Sequence, residues 1–169
     1  MVSRAVFDRL ASLIEDALAK FKPLIEYRVS RRMPCDTHGD LRLDHVYLFP
    51  DRPPPEDILI IDGIEFDESL RAADPVADMA FLVMELIAHG RRDLASSLRE
   101  AYFTAACDFQ GEPLLPFYVA CRAAVRAKVE GMKAADPEID AAGREQARLE
   151  SRARWLLALG ELEAASRKP

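Results

Sequence analysis

The sequence contains few of the features that mark several large protein classes. Its three cysteines show no CxxC spacing, which favours free thiols in a reducing, cytoplasmic compartment. No stretch approaches 18 consecutive apolar residues, and Arg4, Asp8 and Arg9 interrupt the beginning of the chain. The pattern therefore predicts neither a membrane-spanning segment nor a signal peptide.

Glycine and basic charge are also limited. The seven glycines are scattered, and the chain has neither a glycine-rich phosphate loop nor a GxxxxGK[ST] motif, which excludes a P-loop ATPase. Lys and Arg number 23 against 29 Asp and Glu, giving a net charge of −6. Because nucleic-acid binding needs a basic surface, this balance predicts no nucleic-acid partner.

The chain has the size and composition of one globular domain, 1–169. At 169 residues it is long enough to bury a core without disulfides or metal, and its 50% hydrophobic and 31% charged residues are ordinary for such a domain. The periodicities predict a mainly α (α+β) fold, in which a long first helix is followed by one β-hairpin and then by helices.

Local signals set the expected boundaries. Ser3 is a predicted N-cap, and Pro23 is expected to kink or interrupt the first helix. Asp74 followed by proline predicts the start of a later helix. The predicted strands are 46–49 and 58–61, joined by a long proline-rich tip, and the remaining helices are expected near 92–107, from 116, and over 138–164.

The most informative segment is 38–45, which contains two histidines and two aspartates just before the first strand. Asp40 follows a glycine, so that a tight turn can present its carboxylate to a cleft as a general base. Asp62, also next to a glycine, ends the second strand and is a candidate Mg²⁺ ligand, while His45 is a candidate metal or phosphate contact. The simpler alternatives are turn residues for both aspartates and a partly buried histidine for His45.

Other side chains have supporting roles in this hypothesis. His38 is predicted to form hydrogen bonds with backbone groups around the loop. Asp78, in the first turn of a helix, is predicted either to brace that loop or to act as a helix cap. Four basic residues are candidate substrate or phosphate contacts, although a basic helix face is usually only solvated; they are Arg42, Arg122, Arg126 and Lys128.

The motif His38-Gly39-Asp40-Leu41-Arg42-Leu43-Asp44-His45 resembles the catalytic loop of aminoglycoside phosphotransferase-like kinases. The segments 61–66 and 74–82 resemble the metal-binding segment of those kinases and the helix after it. The resemblance covers roughly residues 5–130. It is strongest to a bacterial branch in which a kinase-like domain is often fused to a P-loop ATPase, and in which the run 122–128 also occurs.

The resemblance implies a kinase-like C-terminal lobe that uses ATP and Mg²⁺ to phosphorylate a hydroxyl of a small molecule. Asp40 matches the catalytic base, Asp62 the Mg²⁺ ligand, and Asp78 the acid that steadies the loop. His45 stands where most of these kinases have a metal-binding asparagine, so the metal geometry is expected to differ.

The resemblance does not extend to a nucleotide-binding N-terminal lobe. The chain is therefore expected to act only with a separately encoded nucleotide-binding lobe or a homodimer partner, because binding and aligning ATP supplies most of the catalysis. Two alternatives remain open: a non-catalytic lobe that serves as a binding or oligomerisation module, and a metal-dependent hydrolase whose ligands are His38, Asp40, His45 and Asp62.

Overall fold

The computed structural model describes residues 2–167, and it is mainly helical. Three long helices and two of intermediate length form the body of the molecule, together with a short helix and two small sheets. The elements in chain order are α1 (Arg4–Ser30), β1 (Cys35–Asp36), β2 (Val46–Leu48), β3 (Ile58–Ile60), α2 (Glu68–Arg71), β4 (Ala72–Ala73), α3 (Pro75–Ala88), α4 (Arg92–Ala106), α5 (Leu115–Ala135) and α6 (Ala141–Ser166). Single 3₁₀ turns cover Leu43–His45 and Glu112–Leu114.

The core lies where α1, α3, α5 and α6 meet. Helices α5 and α6 pack along each other over most of their length, and half of the buried residues of α5 are alanines, which permit close approach. The Ser151 hydroxyl donates to the Ala127 carbonyl across this interface at 2.8 Å. Larger side chains fill the space towards α1, α3 and α4, among them Leu10, Met84, Phe103, Val119 and Leu162.

Helix α1 differs from its prediction at Pro23. Ser3 caps the helix as predicted, since its hydroxyl accepts from the Val6 N–H, but the helix continues through Pro23 to Ser30 without interruption. Phe21 and Ile25 on either side of Pro23 pack against the core, and burial of this apolar face outweighs the one backbone hydrogen bond that proline removes.

The predicted β-hairpin is present, but it is one of two small sheets. Strands β2 and β3 pair antiparallel, with Tyr47 opposite Leu59. A second antiparallel pair, β1 with β4, places Cys35 opposite Ala73 and was not predicted. Each of these strands has only two residues, which is too short for a periodicity to show. The fold is therefore mainly helical with two small antiparallel pairings instead of the expected one, and the second is not a hairpin because β2 and β3 lie between its strands in the chain.

The later helices begin and end close to the predicted positions. Asp74 caps α3 through a hydrogen bond from the Val76 N–H, and Gly90, with a φ of +74°, follows the end of that helix. Helix α5 continues past Gly131 to Ala135. Within residues 2–167, no helix is both long and apolar enough to cross a membrane.

Candidate functional site

Two loops form the candidate site, and hydrogen bonds hold them side by side. The Ile64 N–H donates to the His38 carbonyl at 3.0 Å, and the Ile61 N–H donates to the His45 carbonyl at 3.0 Å. The His38 ring adds a third link, because its Nε2 lies 2.8 Å from the Ile61 carbonyl and must donate to it. The segment that carries Asp40 is thereby fixed against the segment that carries Asp62.

Helix α3 anchors the first of these loops. The Asp78 carboxylate accepts from the His38 N–H and from the Gly39 N–H, each at 3.0 Å. Asp78 is only 8% exposed, so these charge-assisted hydrogen bonds are shielded from water. Asp78 thus braces the loop, and the cap of α3 is the separate residue Asp74.

Gly39 is required by the local geometry. Its φ is +82°, in the region that side chains rarely adopt. A Cβ built at this position would also lie 3.0 Å from Ile64 Cδ1, on the neighbouring loop. A glycine therefore allows both the tight turn before Asp40 and the close approach of the two loops.

Asp40 and Asp62 line the same open cleft, which has a volume of about 890 Å³. Asp40 is half-buried, and its backbone carbonyl accepts from His45 Nδ1 at 2.9 Å. Asp62 adopts a positive φ of +65°, and its side chain is 77% exposed. The remaining wall of the cleft is formed by Gly39, Gly63, Ile64, Glu65, Phe66, Phe81, Arg122 and Val125.

His45 lies between the backbone of Asp40 and the side chain of Asp62. Its ring is almost fully buried, and because Nδ1 donates to the Asp40 carbonyl, Nε2 is the nitrogen that faces Asp62, at 3.3 Å from Oδ2. The His38 and His45 rings lie 5.6 Å apart, and His38 Nδ1 is buried without a hydrogen-bond partner among the described residues. Both histidines therefore orient the loops around the cleft.

The four side chains proposed for a metal-dependent hydrolase do not form one metal site. Among residues 2–167, no group of three or more His, Cys, Asp and Glu side chains is placed to hold a metal ion. His38 uses Nε2 to bond a carbonyl, and His45 uses Nδ1 in the same way. Asp62, with His45 Nε2 beside it, remains as a place where a cation could be shared with a ligand.

The four basic candidates separate into three places. Arg122 lines the cleft with Asp40 and Asp62. Arg42 and Arg126 instead line a second pocket of about 760 Å³ between α3, α5 and α6, where they pair with Asp44 and Glu130 respectively. Lys128 is exposed and lines neither space. At roughly 100° per residue, six positions along α5 place Lys128 on a different face from Arg122.

Four apolar residues of the site lie within the segments 61–66, 74–82 and 122–128, but the sequence indicates no individual role for them. Phe81, Ile64, Phe66 and Val125 give the cleft its apolar wall. Phe81 follows Asp78 by three positions on α3, so helical spacing alone indicates that the two share a face. Phe66 and Val125 belong to segments that carry the resemblance, but no helical spacing links them to Asp78, because one lies in a loop and the other on a distant helix.

The chain is similar to uncharacterized mycobacterial proteins. It is 32% identical over 142 residues to one protein from Mycobacterium bovis and to one from each of two strains of Mycobacterium tuberculosis. The match covers 84% of this chain but only 28% of each relative, so the chain spans less than a third of their length. No protein-family model matches the chain. No solved structure matches it either.

Proposed function

We propose that this chain is a kinase-like C-terminal lobe, related to the aminoglycoside phosphotransferases, whose cleft transfers a phosphoryl group from ATP to a hydroxyl of a small molecule. The observation that carries the proposal is the position of Asp40 and Asp62 in one cleft, on two loops tied together by backbone and histidine hydrogen bonds. Phosphoryl transfer depends mainly on positioning and electrostatic stabilisation, which such a rigid pair of loops supplies.

The residues around Asp62 fit a Mg²⁺ ion that is shared with a nucleotide. Mg²⁺ is usually held by one or two carboxylates, with phosphate oxygens and water completing its six ligands. Asp62 offers a largely exposed carboxylate, whereas no metal cage is built from the described protein residues alone. Because Mg²⁺ prefers oxygen to imidazole nitrogen, we assign the metal to Asp62 and an orienting role to His45.

Asp40 would act as the general base. Its carboxylate accepts the proton of the acceptor hydroxyl while the acceptor oxygen forms a bond to the γ-phosphorus of ATP. The bond from that phosphorus to the β–γ bridging oxygen breaks, and ADP leaves with the electron pair. Asp78 and His45 take no part in these bond changes; they hold the Asp40 loop in place.

A partner that binds the nucleotide is part of the proposal. The hairpin β2–β3, beside the cleft, exposes large apolar side chains, including Leu48 at 68% and Ile58 at 50%. Phe66, on the rim of the cleft, is 85% exposed. An apolar surface of this kind is typical of an interaction site, and we propose that a nucleotide-binding lobe covers it.

The same exposed hairpin supports a second function, a non-catalytic module that binds a partner or a second copy of the chain. In that case the carboxylates of the cleft would have no ligand, and the apolar hairpin would be the functional surface. The two functions differ in a simple way, because only the first requires the cleft to bind Mg²⁺ and ATP.

The test is the melting temperature of the chain with and without Mg²⁺-ATP at millimolar concentration, because the cleft without its nucleotide-binding lobe is expected to bind Mg²⁺-ATP only weakly. The proposal predicts a rise for the wild type that is lost in Asp62→Asn and kept in Asp40→Asn, since Asp40 contacts the acceptor hydroxyl and not the metal. Asp51→Asn, an exposed acid in the tip of the hairpin, is the matched control and should behave as the wild type. No rise with any nucleotide, together with a stable homodimer that Leu48→Lys dissociates, would favour the second function.

A further inference from the structure

Arg122 is fixed in the cleft by two contacts that leave most of its guanidinium available. Its Nε donates to the Ala77 carbonyl at 3.0 Å, and its Cζ lies 4.1 Å from the centre of the Phe81 ring. The first contact sets the direction of the guanidinium and the second holds its plane against an aromatic face. The two terminal nitrogens, Nη1 and Nη2, make no hydrogen bond to a described residue, and Arg122 lines the cleft.

Arg122 differs in this respect from three other partly or fully buried arginines. Arg126 pairs with Glu130, Arg154 with Glu85, and Arg28 with two aspartates. No carboxylate among residues 2–167 lies within 4.0 Å of the Arg122 nitrogens. Burial lowers the pKa of Arg122, while Asp78 and Asp40 nearby act in the opposite direction. A half-buried cation without a directly paired carboxylate is costly to keep unless a ligand or water serves it.

The composition of the cleft indicates what kind of ligand that is. Asp40, Asp62 and Glu65 are its acids, and among the described residues that line it Arg122 is the one basic side chain. A planar guanidinium with free N–H groups is suited to bind two oxygens of a phosphate or carboxylate at once. The neighbouring Phe66, Phe81 and Val125 form an apolar part of the cleft wall beside these charged groups.

We infer that Arg122 binds an oxyanion, a phosphate or carboxylate group, carried by the ligand of this cleft. The inference rests on the proposed function, since it takes the cleft to be the place where nucleotide and acceptor meet. Two sources have this chemistry: a phosphate of the nucleotide and an anionic group on the acceptor. If the acceptor carries the anionic group, its substrates are hydroxy acids or phosphorylated alcohols, and uncharged alcohols are not substrates.

The three carboxylates add a condition. They repel a free anion, so oxyanion binding at Arg122 should tighten when a divalent cation neutralises Asp62. Mg²⁺ is therefore expected to strengthen the binding of anionic probes to the wild type, and Asp62→Asn to remove that dependence on Mg²⁺.

Calorimetric titration of the full chain tests the inference with defined probes. The probes are Mg²⁺-ATP, inorganic phosphate, glycerol 3-phosphate and glycerate, each with Mg²⁺, and glycerol as the neutral counterpart. We expect at least one anionic probe to bind the wild type and glycerol not to bind. Arg122→Met, which keeps an aliphatic chain on Phe81, should weaken anion binding about 10- to 100-fold.

Two further variants make the result specific. Lys128→Met removes an exposed positive charge from the same helix and should leave every dissociation constant unchanged. Arg122→Lys keeps the charge but loses the two-pronged geometry, so it should recover only part of the affinity. If the melting temperature shows that Arg122→Met does not fold, Arg122→Lys is the variant whose dissociation constants are compared with those of the wild type.

The outcomes separate the two sources and the two proposals. Weakening confined to Mg²⁺-ATP places the oxyanion on the nucleotide, and weakening confined to glycerol 3-phosphate or glycerate places it on the acceptor. The inference would be supported and the proposed function contradicted if Arg122→Met weakens anion binding while Asp62→Asn responds to Mg²⁺-ATP as the wild type does. The inference is overturned if no anionic probe binds the wild type, if Arg122→Met binds them all as tightly, or if Lys128→Met weakens them equally.

Discussion

The carboxylate of Asp78 accepts a hydrogen bond from the backbone N–H of Gly39, 39 positions earlier in the chain. A second bond, from the N–H of His38, occupies the other oxygen of the same carboxylate. A loop that contains a glycine at positive φ would otherwise be free to move, and these bonds attach it to the first turn of α3. The position of Asp40 in the cleft therefore depends on a residue that does not itself line the cleft.

Replacement of Asp78 by alanine should destabilise the fold and loosen this loop. Two buried N–H groups would lose their acceptor, which we expect to lower the free energy of unfolding by about 2–4 kcal/mol. Urea denaturation measures the loss, and hydrogen exchange should show the Gly39 amide as one of those most affected. Asp51→Ala, on the exposed hairpin tip, should leave both quantities nearly unchanged. A loss of stability with Gly39 exchange unaltered would show that Asp78 does not brace the loop.

Gly39→Ala tests the close approach of the two loops, with Gly90→Ala as a matched control. Both glycines have positive φ, which costs an alanine about 1–2 kcal/mol. A Cβ at Gly90 meets nothing within 4 Å, whereas one at Gly39 meets Ile64. Gly39→Ala should therefore be the more destabilising by about 1 kcal/mol. Equal losses in thermal unfolding would mean that the contact with Ile64 is not a tight one.

The sequence predicts the five longest helices well because their apolar faces and several of their ends are specified locally, whereas the four-residue α2 was not predicted. Ser3 and Asp74 are caps with a side-chain oxygen in the required place, and the apolar faces repeat at helical spacing. The persistence of α1 through Pro23 was not predictable in this way, since it depends on packing against helices more than 90 residues away. The β1–β4 pair was missed for a similar reason: two-residue strands have no pattern, and their pairing is defined only by the folded chain.

The candidate site was predictable in part. The segment 38–45 and Asp62 were singled out by residue type, and the structure places Asp40 and Asp62 on one cleft. The basic residues were grouped by proximity in sequence, and α5 instead turns Lys128 away from Arg122. For Arg28 the sequence indicates burial but not the partner. It lies seven positions after Phe21 and therefore on the apolar face of α1. Its partner Asp108 is distant in the sequence, and no local pattern links the two.

Arg28 is expected to be the most costly charged residue to remove. It is 1% exposed and forms two-pronged pairs with Asp74 and Asp108, at distances of 2.5–2.9 Å, so that it joins α1 to the start of α3 and to the loop after α4. Arg28→Met leaves two buried carboxylates without a cation and should cost about 3–5 kcal/mol. Arg31→Met, three positions later and exposed, is the control in the same denaturation experiment. A loss no larger than that of the control would contradict the role of Arg28.

Cys121 gives a prediction about pH. Burial raises the pKa of its thiol from 9.0 to about 11. Because the folded state then holds the proton more tightly than the unfolded state, this thiol contributes stability below pH 9 that is lost between pH 9 and 11. The free energy of unfolding of the wild type, compared with that of Cys121→Ala, should fall by up to about 2 kcal/mol over this interval. If the difference in free energy of unfolding between the wild type and Cys121→Ala stays constant from pH 9 to 11, the raised pKa of Cys121 is refuted.

The same burial should appear in thiol labelling. Cys35 and Cys107 are exposed and are expected to react with a disulfide reagent at pH 8 within the mixing time of a manual experiment. Cys121, which is only partly buried, should react more slowly than the other two thiols, and denaturant should remove the difference. In Cys121→Ala the slow phase should be absent, and its persistence would assign protection to another thiol.

The central claim is that the cleft between the Asp40 and Asp62 loops holds a divalent cation together with a nucleotide. The most direct measurement is the paramagnetic broadening of backbone amide signals by Mn²⁺ in the presence of ATP, with Mn²⁺ in place of Mg²⁺. We predict broadening centred on Gly39, Asp62 and Gly63, loss of that broadening in Asp62→Asn, and sharp signals in the second pocket around Glu85 and Lys133. Broadening centred on the second pocket, or broadening of the cleft that Asp62→Asn leaves intact, would contradict the account.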